Sequence, residues 1–181
     1  MKSIISRQIV LVSGLPGTGK TTLAEPLALA LGFALITKDY IKENLFDALK
    51  GPLDDIPFSR RLGKASMELL WALADRCPQV VLEANFHPAL AYDRVQMLAT
   101  QSQIVEIWCR CSPEVAVRRF TERAATIERH PAHPRQYIPS LESLAECNRP
   151  IGIGTVIEVD TNHPVDLEWL VTKVQDVWVS A

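Results

Sequence analysis

Eight residues near the start of the chain combine glycines, a lysine and a threonine in a spacing that suits phosphate binding. They run Gly14-Leu15-Pro16-Gly17-Thr18-Gly19-Lys20-Thr21 and fit the pattern G-x-x-x-x-G-K-[ST]. Glycines let the backbone turn tightly, so that successive N–H groups surround phosphate oxygens, and a following helix adds its positive dipole end. Lys20 would reach the β- and γ-phosphates of a nucleotide and the Thr21 hydroxyl would bind Mg²⁺, with Thr22 beside them in the same site.

The residues on either side of this loop supply the structural context that the motif requires. Those before it, Gln8-Ile9-Val10-Leu11-Val12-Ser13, are apolar and largely β-branched, as in a strand buried within a parallel sheet. Those after it, 22–31, have the pattern of a helix that ends at Gly32. A strand, a glycine loop and a helix in this order predict a P-loop that binds ATP together with Mg²⁺.

An acidic residue stands where the second expected strand, 33–37, gives way to a helix. Asp39 follows this strand, and Lys42 lies about one helical turn further on. Ligands bind at the carboxyl ends of the strands in an open parallel sheet, so Asp39 and Lys42 are candidates for contacting a substrate. The alternative is that Asp39 is a plain N-cap of the helix, and the local sequence leaves both interpretations open.

A third expected strand, 79–86, also runs into polar residues. In P-loop enzymes an acidic group of the central strand contacts Mg²⁺ directly or through water, and Glu83 is the acid at this place. We therefore expect Glu83 to have a metal-binding or catalytic role, with Asn85 hydrogen-bonding the substrate. The alternative is a strand-end glutamate that points to solvent.

Four arginines follow the fourth expected strand within a short distance. Arg118, Arg119 and Arg123 stand in the expected helix after this strand, and Arg129 stands in the polar, proline-rich segment 126–135. Arginine stabilises the charge of a transferring phosphoryl group, and a mobile segment can close over a nucleotide and exclude water. We predict an arginine-rich lid over about 124–137, with Arg119 and Arg123, one turn apart, as catalytic candidates; a solvated basic helix face is the alternative. His130 and His133 have no zinc-ligand spacing.

The remaining strands and helices complete an alternating order along the chain. Strands are expected over 104–109 and 155–161, each followed by a helix. This order predicts a three-layer α/β fold, the P-loop NTPase fold, with a five-stranded parallel sheet. The long helix after Pro57 has candidate core positions at Leu62, Met67, Leu70 and Leu73, with Trp71 packing beside them.

One further candidate contact with the nucleotide lies near the end of the fifth strand. The predicted order of elements resembles that of P-loop proteins in which an adenine base commonly stacks at this turn, 161–164. Thr161 is therefore a nucleotide-binding candidate.

Composition limits the classes of protein that this chain can represent. A length of 181 residues with 48% hydrophobic residues predicts one domain over 1–181 with a substantial core. The net charge of −2 disfavours broad nucleic-acid binding. The four cysteines have no zinc spacing, the first seven residues lack the apolar core of a signal peptide, and no apolar run is long enough to cross a membrane. We expect a cytoplasmic protein without a membrane partner, either a monomer or a homodimer.

The order of motifs resembles the nucleoside-monophosphate-kinase-like branch of P-loop proteins over nearly the whole chain. Within that branch the chain is similar to small kinases grouped as AAA family ATPases, next to the 5′-hydroxyl polynucleotide kinase domain, chloramphenicol phosphotransferase, gluconate kinase and zeta toxin. The similar motifs are the P-loop, Thr37-Lys38-Asp39-Tyr40-Ile41-Lys42, Val81-Leu82-Glu83-Ala84-Asn85-Phe86 and Arg118-Arg119-Phe120-Thr121-Glu122-Arg123. The resemblance implies that Asp39 is the general base on an acceptor hydroxyl. Lys42 replaces the arginine of the related Asp-x-x-Arg motif, and lysine lacks the planar fork of arginine.

These observations predict an ATP- and Mg²⁺-dependent phosphotransferase that acts on a hydroxyl of a small molecule. Lys20 and the lid arginines would neutralise charge on the phosphates, while Asp39 accepts the proton of the acceptor with assistance from Glu83. One alternative is a kinase of a nucleic-acid 5′-hydroxyl, and another is an ATP-binding switch or toxin-like regulator with slow turnover. The sequence contains no Asn-Lys-x-Asp guanine motif, which disfavours a GTPase.

Overall fold

A computed structural model describes residues 7–125, 129–134 and 148–179. The sequence also predicts a helix over 138–147, which lies outside the described residues, and the expected lid lies partly outside them. Strands and helices alternate along the described chain, except that two consecutive helices follow the second strand. Their bounds are β1 Arg7–Ser13, α1 Lys20–Leu31, β2 Ala34–Thr37, α2 Lys38–Ala48, α3 Ile56–Ala74, β3 Gln79–Glu83, α4 Pro88–Ala99, β4 Ser102–Arg110, α5 Pro113–Ala125, β5 Thr155–Asp160 and α6 Leu167–Val179.

The five described strands form one parallel sheet in the order β2-β3-β1-β4-β5, which confirms the expected fold class. From β1 the chain crosses to one side of the sheet for β2 and β3, and then returns past β1 to form β4 and β5. The carboxyl ends of β1 and β3 therefore lie next to each other where the strand order reverses. Open α/β sheets bind ligands in the crevice at such a point.

The core lies on both faces of this sheet, as the uninterrupted apolar run of β1 predicts. Ile9 and Leu11 face α3 and α4, while Val10 and Val12 face α1 and α6. All four side chains are fully buried. Burial on both faces holds β1 at the centre of the sheet, so the loop that follows it starts from a rigid position.

The expectation for α3 is correct for three of its four core positions and wrong for the last. Leu62 and Leu70 are buried and Met67 is partly buried, but Leu73 is nearly half exposed. Trp71 and Ala74 take the core positions at this end of the helix, and the Trp71 ring packs against Phe86. The buried face at this end of α3 is rotated about the helix axis relative to the expected one. An α-helix turns by about 100° per residue, so no whole number of residues completes one turn and the buried face shifts gradually along a long helix.

No helix in the described part of the chain is long and apolar enough to cross a membrane.

Candidate active site

The glycine-rich loop lies against β4 and α5, and this close packing explains two of its glycines. Gly14 has φ +138°, and a Cβ atom there would lie 2.3 Å from the backbone oxygen of Cys109. Gly17 has φ +86°, and its Cβ would lie 2.2 Å from the backbone oxygen of Ala116. A side chain at either position would meet another backbone, and the positive φ angles also favour glycine. The close packing of the loop against β4 and α5 therefore restricts its shape.

Lys20 opens α1 and is held by the loop itself. Its Nζ donates a hydrogen bond to the backbone oxygen of Leu15 over 2.8 Å, and the residue is only 7% exposed. Burial lowers the pKa of Lys20, although the negative charges of Glu83 and Asp39 act in the opposite direction. A buried ammonium group whose hydrogen-bond partner is a neutral carbonyl is well suited to an anionic ligand.

Four of the expected site residues lie beneath or beside the loop and do not line the cleft in front of it. The Thr161 hydroxyl donates a hydrogen bond to the Thr18 backbone oxygen over 2.8 Å. The Arg119 guanidinium donates to the Thr161 backbone oxygen over 2.9 Å. Arg119 of α5 and Thr161 after β5 thus support the loop, and Gly14 and Thr18 are the loop residues that face these supports and β4. The other expected site residues line the cleft.

The cleft in front of the loop has a volume of about 610 Å³ and brings together residues from five parts of the chain. The loop contributes Leu15, Pro16, Gly17, Gly19, Lys20, Thr21 and Thr22; α2 contributes Lys38, Asp39 and Lys42; and α3 contributes Ile56, Ser59, Arg60 and Gly63. The end of β3 contributes Glu83, Ala84 and Asn85, and α5 with the segment 129–134 contributes Phe120, Arg123, Arg129, His133 and Pro134. A cleft of this size can hold the phosphates of a nucleotide together with a second small molecule.

Asp39 does not cap α2. The N-cap is Thr37, whose hydroxyl accepts a hydrogen bond from the Tyr40 backbone N–H over 3.2 Å. Asp39 lies in the first turn, with its side chain 58% exposed at the cleft and its Oδ1 3.1 Å from Lys38 Nζ. Desolvation raises the pKa of Asp39, but the positive charges of Lys38, His133 and Lys20 together lower this pKa to about 2. The carboxylate is therefore ionised at neutral pH and accessible to a ligand.

Glu83 lies at the last position of β3, between Val12 of β1 and Thr37 of β2. Strands on both sides leave it only 5% exposed, and burial raises its pKa while Lys20 acts to lower it. Asn85, two residues further along, is exposed and lines the cleft. The alternative of a solvent-facing glutamate does not hold, because the side chain is buried at the cleft beside Lys20.

Lys42 has a partner on α3 that sequence reasoning missed. Its Nζ donates a hydrogen bond to the Ser59 hydroxyl over 2.8 Å, and this hydroxyl donates to the backbone oxygen of Ala132 over 2.8 Å. Lys42 is 7% exposed, and burial, with a further effect of Lys38, lowers its pKa to about 8. The buried ammonium group therefore reduces the stability of the free protein at neutral pH.

Replacement of Lys42 by methionine should raise the free energy of unfolding by about 2 kcal/mol near pH 7. Keeping Lys42 charged in the folded protein costs roughly 3 kcal/mol, as its lowered pKa implies, and the variant avoids this cost. The variant also loses the hydrogen bond to Ser59, which contributes about 1 kcal/mol. The folded pKa lies below the ordinary value, so the unfolded chain binds more protons between about pH 8 and 10.5. Wild-type stability therefore rises through that window, and the gain of the variant should shrink there.

Urea unfolding at pH 7 and at pH 10 measures this difference. Lys64→Met on the exposed side of α3 is the matched control and should change stability by less than about 0.5 kcal/mol. A Lys42→Met variant less stable than wild type at pH 7 would show that the Ser59 contact outweighs the cost of burial.

The described segment 129–134 packs on α2 and α3 and closes one side of the cleft. Ala132 is fully buried in a small apolar cluster with Phe46 and Leu62. His133 Nε2 lies 3.0 Å from Glu43, and His130 Nε2 lies 3.3 Å from Asp47. These contacts hold Arg129 and His133 at the cleft and give both histidines a carboxylate neighbour.

The sequence carried a weak signal for the contribution of α3. Ile56, Ser59, Arg60 and Gly63 follow the spacing i, i+3, i+4 and i+7, so they lie on one face of the helix. A helix face that mixes small, polar and charged residues is easily taken for a solvated surface. Only the position of α3 beside α2 shows that this face borders the cleft.

The parallel sheet and the glycine loop between β1 and α1 define a P-loop protein with a kinase-like fold. The chain belongs to the AAA domain family, which it matches over residues 9–140. It is similar to a "putative kinase" from Chloroflexus aurantiacus, with 31% identity and a TM-score of 0.81, over 94% of this chain and 98% of that one.

Two other solved kinases share the fold at lower identity. A gluconokinase from Sinorhizobium meliloti has 21% identity and a TM-score of 0.55, over 97% of this chain and 93% of that one. A shikimate kinase from Bacteroides thetaiotaomicron has 16% identity and a TM-score of 0.57, over 95% of this chain and 98% of that one. No curated protein matches the sequence. At these identities the two kinases show a common fold and leave the substrate of this chain open.

Proposed function

We propose that the protein transfers the γ-phosphate of ATP to a hydroxyl group of a small molecule. The observation that carries this proposal is that Lys20, on the phosphate-binding loop, and Asp39, an ionised carboxylate, line the same cleft. The P-loop would hold the nucleotide, and the space bordered by α2 and α3 would hold the acceptor. The kinases of similar fold support the reaction class.

In this reaction Asp39 accepts the proton of the acceptor hydroxyl. The hydroxyl oxygen forms a bond to the γ-phosphorus as the bond between this phosphorus and the β–γ bridging oxygen breaks, and ADP leaves. Lys20 and Arg123 stabilise the negative charge on the phosphate oxygens. Nearby cations, Lys20 among them, lower the pKa of Asp39. The negative charge of phosphates bound beside Lys20 would partly cancel this effect, so Asp39 would bind a proton more readily when ATP is present.

The oxygen groups at the cleft fit a magnesium ion. Thr21 lines the cleft at the start of α1, and the Glu83 carboxylate lines it from β3. Mg²⁺ prefers oxygen ligands and usually combines one or two protein groups with phosphate oxygens and water. Thr21 would hold the ion, with Glu83 as a direct or water-mediated partner. The bound ion would neutralise charge on the ATP phosphates.

The other expected residues have supporting roles in this proposal. Arg119 and Thr161 brace the P-loop from behind and so act on the nucleotide through the loop, while Asn85 and Lys42 contact the acceptor. We further propose that a lid over about 124–137 would cover the bound nucleotide and that 1–181 form one domain. We place the reaction in the cytoplasm, where the free thiols of Cys77, Cys109 and Cys111 would stay reduced.

ATP consumption by the pure protein tests the proposal against nucleosides, sugars, sugar acids, aminoglycoside and phenicol antibiotics, and a 5′-hydroxyl oligonucleotide. At least one small molecule should stimulate turnover, and Lys20→Met should lower the stimulated kcat by about 10²- to 10³-fold, because it removes a charge from the phosphate site. Lys173→Met, on the exposed side of α6, is the control and should leave kcat unchanged.

Three outcomes would contradict the proposal. Stimulation by the oligonucleotide alone would favour the nucleic-acid kinase, and ATP binding without stimulation by any acceptor would favour the switch. Stimulated turnover that survives Lys20→Met would show that the P-loop lysine is not part of the reaction.

A further inference from the structure

Two histidines of the segment 129–134 make the same kind of contact with α2. His130 Nε2 lies 3.3 Å from Asp47, and His133 Nε2 lies 3.0 Å from Glu43. The two carboxylates are four residues apart, so they lie on one face of α2. Each histidine therefore uses its Nε2 atom to hold the segment on this helix face.

The two histidines differ at the second ring nitrogen. His130 Nδ1 accepts a hydrogen bond from the Ala132 backbone N–H over 3.2 Å, so the protein uses both ring nitrogens of His130. Within the described part of the chain, Nδ1 of His133 has no hydrogen-bond partner. His133 also lines the cleft, with its side chain 19% exposed. A ligand in the cleft can therefore use the second nitrogen of His133.

Glu43 determines which hydrogen-bonding role this second nitrogen has. A carboxylate accepts hydrogen bonds, so Nε2 of a neutral His133 carries the hydrogen and donates it to Glu43. Nδ1 of the same ring then has no hydrogen and accepts a hydrogen bond. The pair thus presents a fixed hydrogen-bond acceptor at the cleft, which suits a ligand with an O–H or N–H group.

His133 lies close to the proposed general base. Desolvation raises the pKa of Asp39, and the positive charges of Lys38 and His133 are the two largest of those that lower it. Charges in a protein act appreciably on each other only over short distances, so Asp39 and His133 border the same part of the cleft. A molecule whose hydroxyl reaches Asp39 therefore has its neighbouring groups near His133.

We propose that His133, oriented by Glu43, binds a second hydroxyl of the phosphoryl acceptor, which is therefore a polyhydroxy compound. This inference rests on the proposed function and names the class of its acceptor. The second hydroxyl donates a hydrogen bond to Nδ1 of His133, while Asp39 accepts the proton of the hydroxyl that is phosphorylated. His133 is then a residue that determines specificity, because an analogue without the second hydroxyl leaves its Nδ1 unpaired. Glu43 is a positioning residue that acts through His133.

Matched acceptors test this inference in the ATP-consumption assay. Each compound that stimulates turnover is compared with analogues in which one hydroxyl at a time is replaced by hydrogen or by a methoxy group. At one position both replacements should raise the KM about 10-fold with the wild type, because neither group can donate to Nδ1. If every analogue that keeps the phosphorylated hydroxyl had the KM of its parent, the inference would be overturned and the kinase would stand.

Two substitutions distinguish the two ring nitrogens of His133. The amide of asparagine takes the place of Nδ1, and the amide of glutamine takes the place of Nε2. His133→Asn should therefore keep the KM of the acceptor within about threefold, while His133→Gln should raise it about 10-fold. Neither variant should change the KM of ATP by more than about twofold. The opposite order of the two variants would show that His133 only holds the segment on α2, which contradicts the inference.

His130→Asn is the matched control in the same segment. It removes the contact with Asp47 and keeps an oxygen that can accept from the Ala132 N–H, so it weakens the attachment of the segment without changing a lining residue. The KM of the acceptor should change by less than about twofold. An increase as large as that of His133→Gln would assign the effect to attachment of the segment and overturn the role of Nδ1.

A pair of variants tests the positioning role of Glu43. Glu43→Leu should raise the KM of the acceptor about 3- to 10-fold at unchanged kcat, and should reduce the KM difference between the acceptor and its sensitive analogue. Glu43→Gln should restore both values, since its amide oxygen still accepts from Nε2 of His133. Wild-type values in Glu43→Leu would overturn this role.

A binding measurement keeps the inference separate from turnover. Calorimetry compares the affinity of each compound of the panel for the wild type and for His133→Gln, with a non-hydrolysable ATP analogue and Mg²⁺ present. At least one polyhydroxy compound should bind about 10-fold more tightly to the wild type. Such binding without turnover would support the role of His133 and contradict the kinase proposal. Equal affinities of the two proteins for every compound, or no binding by any, would overturn the inference.

Discussion

Replacement of Asp39 by asparagine should lower kcat about 10²- to 10⁴-fold and leave the affinity for ATP within about twofold. The amide has nearly the shape of the carboxylate and can still hydrogen-bond an acceptor, but it cannot take up the hydroxyl proton. Steady-state kinetics with a stimulating acceptor, together with direct measurement of ATP binding, would separate the chemical step from binding. The same acceptor should keep a similar KM.

The control for this substitution is Asp54→Asn, which makes the same chemical change in the exposed loop between α2 and α3. Asp54 has φ +53°, a conformation that asparagine tolerates well, so the control should keep full activity and stability. An unchanged kcat in Asp39→Asn would remove Asp39 as the general base. A higher acceptor KM at normal kcat would make Asp39 a binding residue only.

The pH dependence of kcat/KM offers a second check on Asp39. The pKa of this carboxyl is lowered to about 2 in the free protein, so the group loses its charge only as the pH falls through that value. Since the kcat/KM for ATP reports the ionisation of the enzyme before ATP binds, Asp39 should contribute no acidic limb to this parameter above about pH 3. A limb at higher pH that disappeared in Asp39→Asn would contradict the assignment of this low pKa.

Substitution of Glu106 should have the largest effect on stability. This glutamate lies in the middle of β4, has no exposed surface and accepts three hydrogen bonds from buried or partly buried donors. Its Oε1 accepts from the Ser13 hydroxyl over 2.7 Å and from the Ile151 N–H over 3.0 Å, and its Oε2 accepts from the Gly152 N–H over 3.0 Å. One carboxylate therefore joins the residue before the P-loop to the segment that leads into β5.

Glu106→Gln should reduce the free energy of unfolding by about 1–3 kcal/mol. The NH₂ group of the glutamine would face one of the three O–H or N–H groups that donate to the carboxylate, so that hydrogen bond would be lost. Glu106→Leu leaves all three donors without an acceptor and should cost about 3–5 kcal/mol. Urea unfolding measures both values. ATP affinity should also fall in Glu106→Gln, since Ser13 sets the start of the P-loop.

Glu158→Gln is the matched control on β5. Its side chain is half exposed and pairs with Arg110, so the change should cost less than about 1 kcal/mol. A Glu106→Gln variant as stable as wild type would show that the three hydrogen bonds can rearrange around the amide.

The phosphate site could be predicted from the sequence because its residues are local in the chain. Eight consecutive residues contain the glycines, Lys20 and the start of α1, and their spacing specifies the backbone that they adopt. The parallel sheet was predictable for a related reason. A strand buried on both faces has an unbroken apolar run, and β1 and β3 both have one.

The sequence also located Asp39 and Glu83 at strand ends, yet it could not choose between their possible roles. The cap of α2 is Thr37, and Glu83 is buried because β1 and β2 lie on either side of it. The cap at Thr37, the last residue of β2, and the burial of Glu83, at the end of β3, both depend on where these strands lie in the sheet. Strand order is a long-range property that local patterns do not contain.

Tertiary structure alone decided which residues form the rest of the cleft and which support it. Arg60 and Ser59 lie seventeen or more residues beyond Lys42, and they reach the site because α3 packs on α2. Arg119 and Thr161 were expected to contact the nucleotide, and the structure places them on each other and on the back of the P-loop. The sequence by itself determined the phosphate-binding loop and the layered fold, since both follow from short-range spacing and burial. Helix packing determined which charged residues of α2 and α3 line the cleft, because these elements meet only in the folded chain.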